Sequence, residues 1–600
     1  LTETTISPVI GKMSDRLQAL RALLKENGLD GLIIPRSDEY LGEYVPACAE
    51  RLAWISGFTG SAGLAVVLSD KAAVFSDGRY ITQMDDQVDG ALWERHHITE
   101  APPRIWLEEN APTKARIGYD PRIISRSALN ALQTDAVTLL PTAFNLVDAV
   151  WTDRPAPPAA PTQVHPLEFS GQGSEEKRHA LGTQLAKSGW QAAIVADCTS
   201  VAWLLNIRGT DVPHTPVVLS FAILHSNGQV DLFVDEAKIT PEVRDWLGSD
   251  VNILPPEHLE DSLRALTDQT IAVDPSATPV WFSQTLEDAG ATVVEAADPC
   301  ALPRARKNAV EQQGARAAHL RDAVAICRFL HWLDAHAAGS TEMELVERLQ
   351  AFRAEAPEYR DDSFDTISGA GPNGAIIHYR VTPETSRLLG ANTVYLVDSG
   401  AQYPDGTTDI TRTVWTGPDE PPASIKEAFS RVLKGNLLLG RARFPSGTTG
   451  SALDVLARYA LWQGGLDFDH GTGHGVGSYL SVHEGPQRIS KLPNRIALED
   501  GMILSNEPGY YRPGAFGIRL ETLEMVRSSD VGQDGRNFLE FETLTLAPFD
   551  RRLVDPDVMG PEALDFLDSY HARVLSEVGP LLSGEAKSWL VHACSSIKRK

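Results

Sequence analysis

Cysteine is scarce in this chain: five in 600 residues (Cys48, Cys198, Cys300, Cys327, Cys594), odd in number and without C-x-x-C spacing. That excludes a disulfide-built scaffold and a zinc knuckle, and it points to a reducing compartment, so a cytoplasmic location is expected. Positive charge is also short. Lys and Arg total 54 against 80 Asp and Glu, a formal net charge of −26 that argues against nucleic acid as a partner. The one concentrated basic run, Lys598-Arg599-Lys600, reads as a solvated tail. No stretch of about 18 apolar residues is present, so no membrane span is expected. The chain starts at Leu1 rather than Met, and no basic start followed by an apolar core is visible, so no secretory leader is expected.

Apolar content of 42% and charged content of 22% are those of an ordinary folded protein. The length exceeds what one hydrophobic core supports, and about three or four domains are expected. A proline-dense stretch, Arg154-Pro155-Ala156-Pro157-Pro158-Ala159-Ala160-Pro161, reads as a stiff extended spacer. The regions on either side of it look like degenerate copies. Before it, Ser14 is the expected cap of a helix carrying Leu17, Leu20, Leu23 and Leu24; Gly28 ends it, and Gly31 to Ile34 follows as a strand. After it, Ser174 is the expected cap of a helix carrying Leu181 and Leu185, Gly189 ends it, and Ala192 to Ala196 is the strand. The downstream Ala53-Trp54-Ile55 is echoed by Ala202-Trp203-Leu204. The expected division is 1–153, a linker at 154–165, 166–303, and 304–600 ending in a helical extension. The third region opens with a helical stretch through His319, Phe329 and Leu333, then a helix beginning at the capping box Thr341-Glu342-Met343-Glu344.

The chemistry concentrates in that third region. Asp398 ends the apolar strand Thr393-Val394-Tyr395-Leu396-Val397, and Asp409 lies on the return strand beyond the turn Pro404-Asp405-Gly406, so a hairpin can set the two carboxylates opposite each other. His474 sits among glycines in His470-Gly471-Thr472-Gly473-His474-Gly475, a stretch that lacks the Lys-Ser/Thr ending of a phosphate loop. Glu507 precedes the strand-stopping Pro508-Gly509, and Glu521 alternates with Arg519 on one strand face. Four carboxylates and one imidazole balance two hard divalent cations and suit a dimetal hydrolase. His378, His470 and His483 fall in the same region and can serve a carbonyl oxygen or a leaving amine. Taken singly, each of these residues could equally be a turn acid, a surface ion pair or a structural histidine.

Several longer phrases carry a resemblance: Gly371-Pro-Asn-Gly-Ala-Ile-Ile-His378-Tyr379, Asp398-Ser-Gly-Ala-Gln-Tyr, Asp405-Gly-Thr-Thr-Asp409, His470-Gly-Thr-Gly-His474-Gly-Val-Gly-Ser, Val482-His483-Glu484-Gly485-Pro486, Glu507-Pro-Gly-Tyr-Tyr and Gly517-Ile-Arg519-Leu-Glu521. They resemble, in order, the M24 metallopeptidases of the creatinase/aminopeptidase fold, and within them the three-domain Xaa-Pro aminopeptidases. Ser37-Asp38-Glu39-Tyr40 and Ile55-Ser56-Gly57-Phe58-Thr59-Gly60-Ser61-Ala62-Gly63 are similar to the first domain of those enzymes. The resemblance implies an α/β architecture: two creatinase-like N-terminal α/β domains, then a pita-bread catalytic domain. It implies two divalent ions, most commonly Mn²⁺ with Co²⁺ or Zn²⁺ as alternatives. Asp398, Asp409 and Glu521 would hold one; Asp409, His474, Glu507 and Glu521 the other. A hydroxide bridging them would attack the bond between an N-terminal residue and a penultimate proline. Glu507 would double as proton acceptor, His483 would stabilise the oxyanion, His378 and His470 would line the proline side, and Arg519 would orient the ligands. Short peptides with a penultimate proline and a homodimer are likewise implied. Asn506 and Arg380-Val381-Thr382 depart from the expected forms without removing a ligand. A prolidase restricted to dipeptides, and a non-catalytic peptide-binding module of the same fold, remain the alternatives.

Overall fold

The computed structural model describes residues 12–533 and 535–597, so the basic tail Lys598-Arg599-Lys600 lies outside the described residues. The two N-terminal regions fold into sheets with one topology. In the first, strands Gly31–Pro35, Leu64–Leu68, Ala72–Ser76 and Glu94–His97 run outward on one side, with Ala115–Tyr119 and Val137–Pro141 on the other. In the second the same places are taken by Ala192–Val195, Phe221–His225, Val230–Phe233, Val251–Leu254, Thr270–Val273 and Thr292–Glu295. Parallel and antiparallel pairings match position by position. The duplication read in the sequence is therefore a duplication of fold. The central strands Gly31–Pro35 and Ala192–Val195 are covered on both faces, which is why they read as unbroken apolar runs.

Two expected caps are corrected. Helix Met13–Glu26 starts from Lys12, so Ser14 lies inside it; helix Ser174–Lys187 starts from Gly173, and the Ser174 hydroxyl accepts from Arg178 Nε at 3.3 Å instead. A hydroxyl one or two positions past the cap no longer faces the free N–H groups that a cap serves. The Thr341 capping box forms as read. The proline-rich segment is extended, and its end, Gln163–Val164, already pairs with Ile207–Arg208.

The third region has two sheet systems backed by long helices. Strands Ile367–Ala370, Thr393–Ser399 and Ile410–Thr416 form one antiparallel sheet. Arg443–Pro445, Phe538–Thr543, Thr522–Ser529, Ile503–Asn506, Gly473–Gly475 and Glu484–Ile489 form the other, and a ribbon Gly509–Arg512/Phe516–Arg519 bridges them. Helices Ala309–His336, Ala423–Gly440, Gly450–Trp462 and Pro556–Val578 pack apolar faces such as Phe329, Phe429, Leu433, Leu461 and Leu567 into one core. The single strand expected to carry both Arg519 and Glu521 breaks at Leu520-Glu521, where the chain leaves the ribbon for the larger sheet. Glu521 N–H donates across to Thr411 O at 3.1 Å, tying the two systems at the crossing. Arg208 of the second domain binds the Tyr479 and Ser478 carbonyls at 2.6 and 3.1 Å, which seats the N-terminal half against the third region.

Candidate metal centre

The pleat brings the acids together. Asp398 pairs with Thr411 in register, and Asp409 is the residue just before strand Ile410–Thr416, so Asp398, Asp409 and Thr411 share one sheet face. Glu521 enters at the strand crossing, its Oε2 accepting from Thr411 Oγ1 at 2.9 Å. Glu507 follows Asn506 at the end of its strand. His474 lies on strand Gly473–Gly475, and a Cβ on Gly473 would collide with the Ser505 carbonyl, so only glycine lets the two strands close on the site. Asp398, Asp409, His474, Glu507, Glu521, Arg519, His378, His470 and His483 all line one cleft of about 840 Å³.

The donors have the arrangement a cation requires. Ligand atoms of Asp409, His474 and Glu521 lie within 4.8 Å of one another. His474 Nε2 is 3.5 Å from Glu507 Oε1 and 3.6 Å from Asp409 Oδ2. His474 Nδ1 faces the Gly475 carbonyl at 3.0 Å, which assigns the proton to Nδ1 and leaves the Nε2 lone pair turned toward the carboxylates. Asp398 Oδ1, Asp409 Oδ1 and Glu521 Oε1 are buried without any hydrogen-bond partner. Buried carboxylate oxygens are ordinarily satisfied, so three orphans in one cleft fit bound cations. Burial first, and then the neighbouring acids, push the Asp409 and Glu521 carboxyls well above the usual range. Glu507 is pushed up to about 7 by burial and Asp398, against the pull of Arg519. Burial also holds His474 down at about 3, the neutral form in which imidazole ligates.

Around the acids run two hydrogen-bonded chains. Arg519 Nη2 binds Asp398 Oδ2 at 2.6 Å and its Nη1 binds Tyr511 OH at 2.7 Å; Tyr511 OH meets His470 Nε2 at 2.9 Å, and His470 Nδ1 faces the Gly471 carbonyl at 2.7 Å. The carbonyl fixes the tautomer, so Tyr511 donates to His470. The second chain comes from the first domain. Glu43 Oε2 binds His483 Nδ1 at 2.7 Å, Ser61 donates to Glu43 Oε1 at 3.0 Å, Ser61 meets Tyr80 OH at 2.7 Å, and Tyr80 OH meets His378 Nδ1 at 2.7 Å. Burial works against a charged His483, but Glu43 outweighs it and raises the imidazole; burial and Arg79 keep His378 well below the usual value.

Models of known families match nearly the whole chain: the Creatinase/Prolidase N-terminal domain at 16–149 and again at 153–311, Metallopeptidase family M24 at 313–528, and the C-terminal region of peptidase M24 at 537–597. Aminopeptidase P2 of Arabidopsis thaliana is 39% identical, the match covering 96% of this chain and 88% of that protein. The chain belongs to the M24 metallopeptidase family. A probable Xaa-Pro aminopeptidase P of Aspergillus niger is 37% identical over 98% of this chain and 99% of that protein. Among solved structures, the X-prolyl aminopeptidase of Caenorhabditis elegans, described as a cytosolic enzyme with a di-nuclear active site, aligns with TM-score 0.92 and 33% identity over 98% of this chain and all of that one. A prolidase of Thermococcus sibiricus covers 63% of this chain with TM-score 0.51 and 23% identity, a likeness of fold. The architecture expected from the sequence, two creatinase-like domains and a pita-bread domain, is that of the family.

Sequence reading of this M24 chain missed the residues that reach the cleft from afar. Glu43, Ser61, Arg79 and Tyr80 lie some 300 to 440 positions before the histidines they serve; Ser61 falls in a phrase carrying the resemblance, but nothing local assigns any of the four to the cleft. Tyr511 was within reach: it alternates on the strand after Glu507. Behind the centre, Glu524 is fully buried with Oε2 unpaired, its carboxyl pushed by burial from 4.5 up to about 7 against the hydrogen bond that Thr522 Oγ1 donates to Oε1 at 2.8 Å. The folded state thus holds this proton more tightly than the unfolded one, so stability falls as pH rises from 4.5 to 7. Glu524→Gln is expected to raise stability at pH 8 by up to about 3 kcal/mol, and by nothing at pH 4.5, in urea titrations.

Proposed function

We propose that this chain is an Xaa-Pro aminopeptidase, removing the N-terminal residue from short peptides whose second residue is proline. The observation that carries the reading is the cluster Asp409, His474 and Glu521, with unpaired buried oxygens on Asp398, Asp409 and Glu521, in a chain related along its length to proteins named aminopeptidase P. Asp398, Asp409, His474, Glu507 and Glu521 would hold two divalent cations. An oxygen-rich donor set with one imidazole favours Mn²⁺. When bound, such a pair supplies Lewis acidity and acidifies water near neutral pH.

The chain's own groups divide the remaining work. Glu507 takes a proton at its carboxylate, which stands in the cleft with Oε1 3.5 Å from His474 Nε2. His483, whose protonated form Glu43 favours against burial, donates toward the scissile carbonyl oxygen. His378 and His470, both neutral, wall the side where the proline ring lies. Arg519 holds Asp398 and, through Tyr511, His470 in place. The prolidase alternative differs in the substrate length the cleft admits. The test is release of the first residue from an Xaa-Pro-Xaa tripeptide by EDTA-stripped protein with and without Mn²⁺, beside an Xaa-Pro dipeptide and a proline-free tripeptide. Metal-dependent cleavage of the proline tripeptide alone supports the reading. Cleavage of the dipeptide alone makes the chain a prolidase, and no turnover with any metal removes the enzyme.

The proposal extends to a homodimer. Val455, Tyr459 and Trp462 are 41, 56 and 44% exposed and recur at helical spacing on one face of Gly450–Trp462. An exposed apolar stripe of this size is ordinarily an interface. Trp462→Asp is expected to halve the mass seen by light scattering; an unchanged mass would place the contact elsewhere. Among the described residues no helix is long and apolar enough to cross a membrane. The nematode relative is cytosolic, and the same location is proposed here.

A further inference from the structure

We propose that Asn436, a residue outside the cleft, is a positioning residue that sets the relative placement of Glu507 and Glu521. The inference rests on the reading of those two acids as metal ligands. Asn436 lies in the middle of helix Ala423–Gly440 and is 2% exposed. Its Nδ2 donates to the carbonyl of Asn506 at 2.8 Å and lies 3.3 Å from that of Leu520, with Thr522 Oγ1 at 3.2 Å. Asn506 immediately precedes Glu507, and Leu520 immediately precedes Glu521. One side-chain amide therefore holds the peptide plane leading into each acid.

The opposite edge of both planes is also held. Glu507 N–H donates to Thr472 O at 2.8 Å, two residues before His474, and Glu521 N–H donates to Thr411 O at 3.1 Å, two residues after Asp409. Each plane is thus fixed between Asn436 on the helix side and a strand that carries another donor. A plane held at both its carbonyl and its N–H leaves the following Cα little freedom to move. The contact is reciprocal: Asn506 Nδ2 donates to the Asn436 backbone carbonyl at 2.9 Å. Gly440, one turn on, makes room for it, since a Cβ there would sit 2.9 Å from Glu524 Oε1 and 3.5 Å from Asn506 Nδ2. The departure at Asn506 noted in the sequence is half of this clamp.

Asn436 touches neither acid side chain, so it acts through geometry. The spacing of the two carboxylates is what a pair of shared cations reads, and loosening it weakens both sites together. The experiment is calorimetric titration of Mn²⁺ into EDTA-stripped protein for the wild type, N436D and N436S. N436D keeps the shape and places an acceptor against two carbonyls; N436S cannot reach them. Leu433→Ala, in the same helix and core but without a polar group to bond either carbonyl, is the control for lost stability. Expected is Mn²⁺ affinity roughly 10 to 100-fold weaker in both Asn436 variants and unchanged in L433A. If N436D does not fold, N436S decides. Wild-type affinity in the Asn436 variants, or an equal loss in L433A, overturns the inference. The affinity comparison decides it whether or not Xaa-Pro peptides are cleaved.

Discussion

Glu521→Gln is expected to abolish peptide hydrolysis and, in the same molecule, to stabilise the protein stripped of metal. The two effects have one cause. Asp409, Glu507 and Glu521 share a buried site with Asp398, and burial together with mutual repulsion raises all three above the ordinary carboxylate range. Arg519 is a cation bonded directly to Asp398, and Asp398 Oδ1, Asp409 Oδ1 and Glu521 Oε1 remain unpaired. Without counter-ions the fold must either hold protons on these acids or bear buried like charges. A folded-state pKa above the unfolded one means that stability is fully present at low pH and is lost as pH rises. Glutamine removes one ionising group at nearly constant volume, so the metal-free variant should lose less stability between pH 5 and 8 than the wild type. The gain at pH 8 should be on the order of 1–3 kcal/mol in urea titrations with EDTA.

Adding Mn²⁺ should reverse that order. Binding to the folded state alone stabilises by about 2.7 kcal/mol at a hundredfold excess over Kd, and the wild type should gain this while the variant gains less. Turnover of an Xaa-Pro tripeptide should fall by roughly 10³-fold or more, the scale of losing a group aimed at the reacting atoms. A variant less stable than wild type in EDTA would show that these acids are satisfied within the protein. Retained turnover would remove Glu521 from the centre.

The meeting of these residues in one cleft was legible because each carries its own local signal. Asp398, Asp409, His474, Glu507 and Glu521 each sit in a short phrase whose glycines, prolines and alternation fix where the side chain points, and the β-pleat carries that into space. The duplicated N-terminal halves were legible for a similar reason, since helix, glycine stop and apolar strand recur in order. What could not be read is set by packing between distant segments. Whether Ser14 or Lys12 begins a helix turns on two positions. That the strand through Glu521 breaks to change sheets depends on Thr411, more than a hundred residues earlier. Asn436 looks like any polar residue in an amphipathic helix until Asn506 and Leu520 arrive against it. Glu43 stands in a loop of a different domain.

That loop carries the second large effect. Glu43→Gln, with the five proposed metal donors intact, is expected to lower kcat/KM for an Xaa-Pro tripeptide by roughly 10²-fold, the scale of a positioned acid–base partner. Glu43 anchors two histidines at once: His483 directly at 2.7 Å, and His378 through Ser61 and Tyr80. Burial opposes a charged His483, and the Glu43 carboxylate is what overcomes it. His483 in turn holds Glu43 well below the usual range despite the cost of burial. Glutamine keeps an acceptor for Nδ1 but removes the charge, so the imidazole falls back toward its neutral form. If the protonated imidazole serves the carbonyl oxygen, activity persists up to its folded pKa and is lost above it. Lowering that pKa should move the alkaline limb of the pH profile to lower pH in E43Q. Tyr80→Phe cuts only the branch to His378 and should leave that limb where it is. Mn²⁺ affinity should be unchanged in both variants, since neither residue is among the five proposed donors. An E43Q enzyme with wild-type kcat/KM and an unmoved limb would reduce the first domain to a cover over the cleft. The expected shift would make it part of the catalytic apparatus, with Glu43 acting through a histidine 440 residues further along the chain.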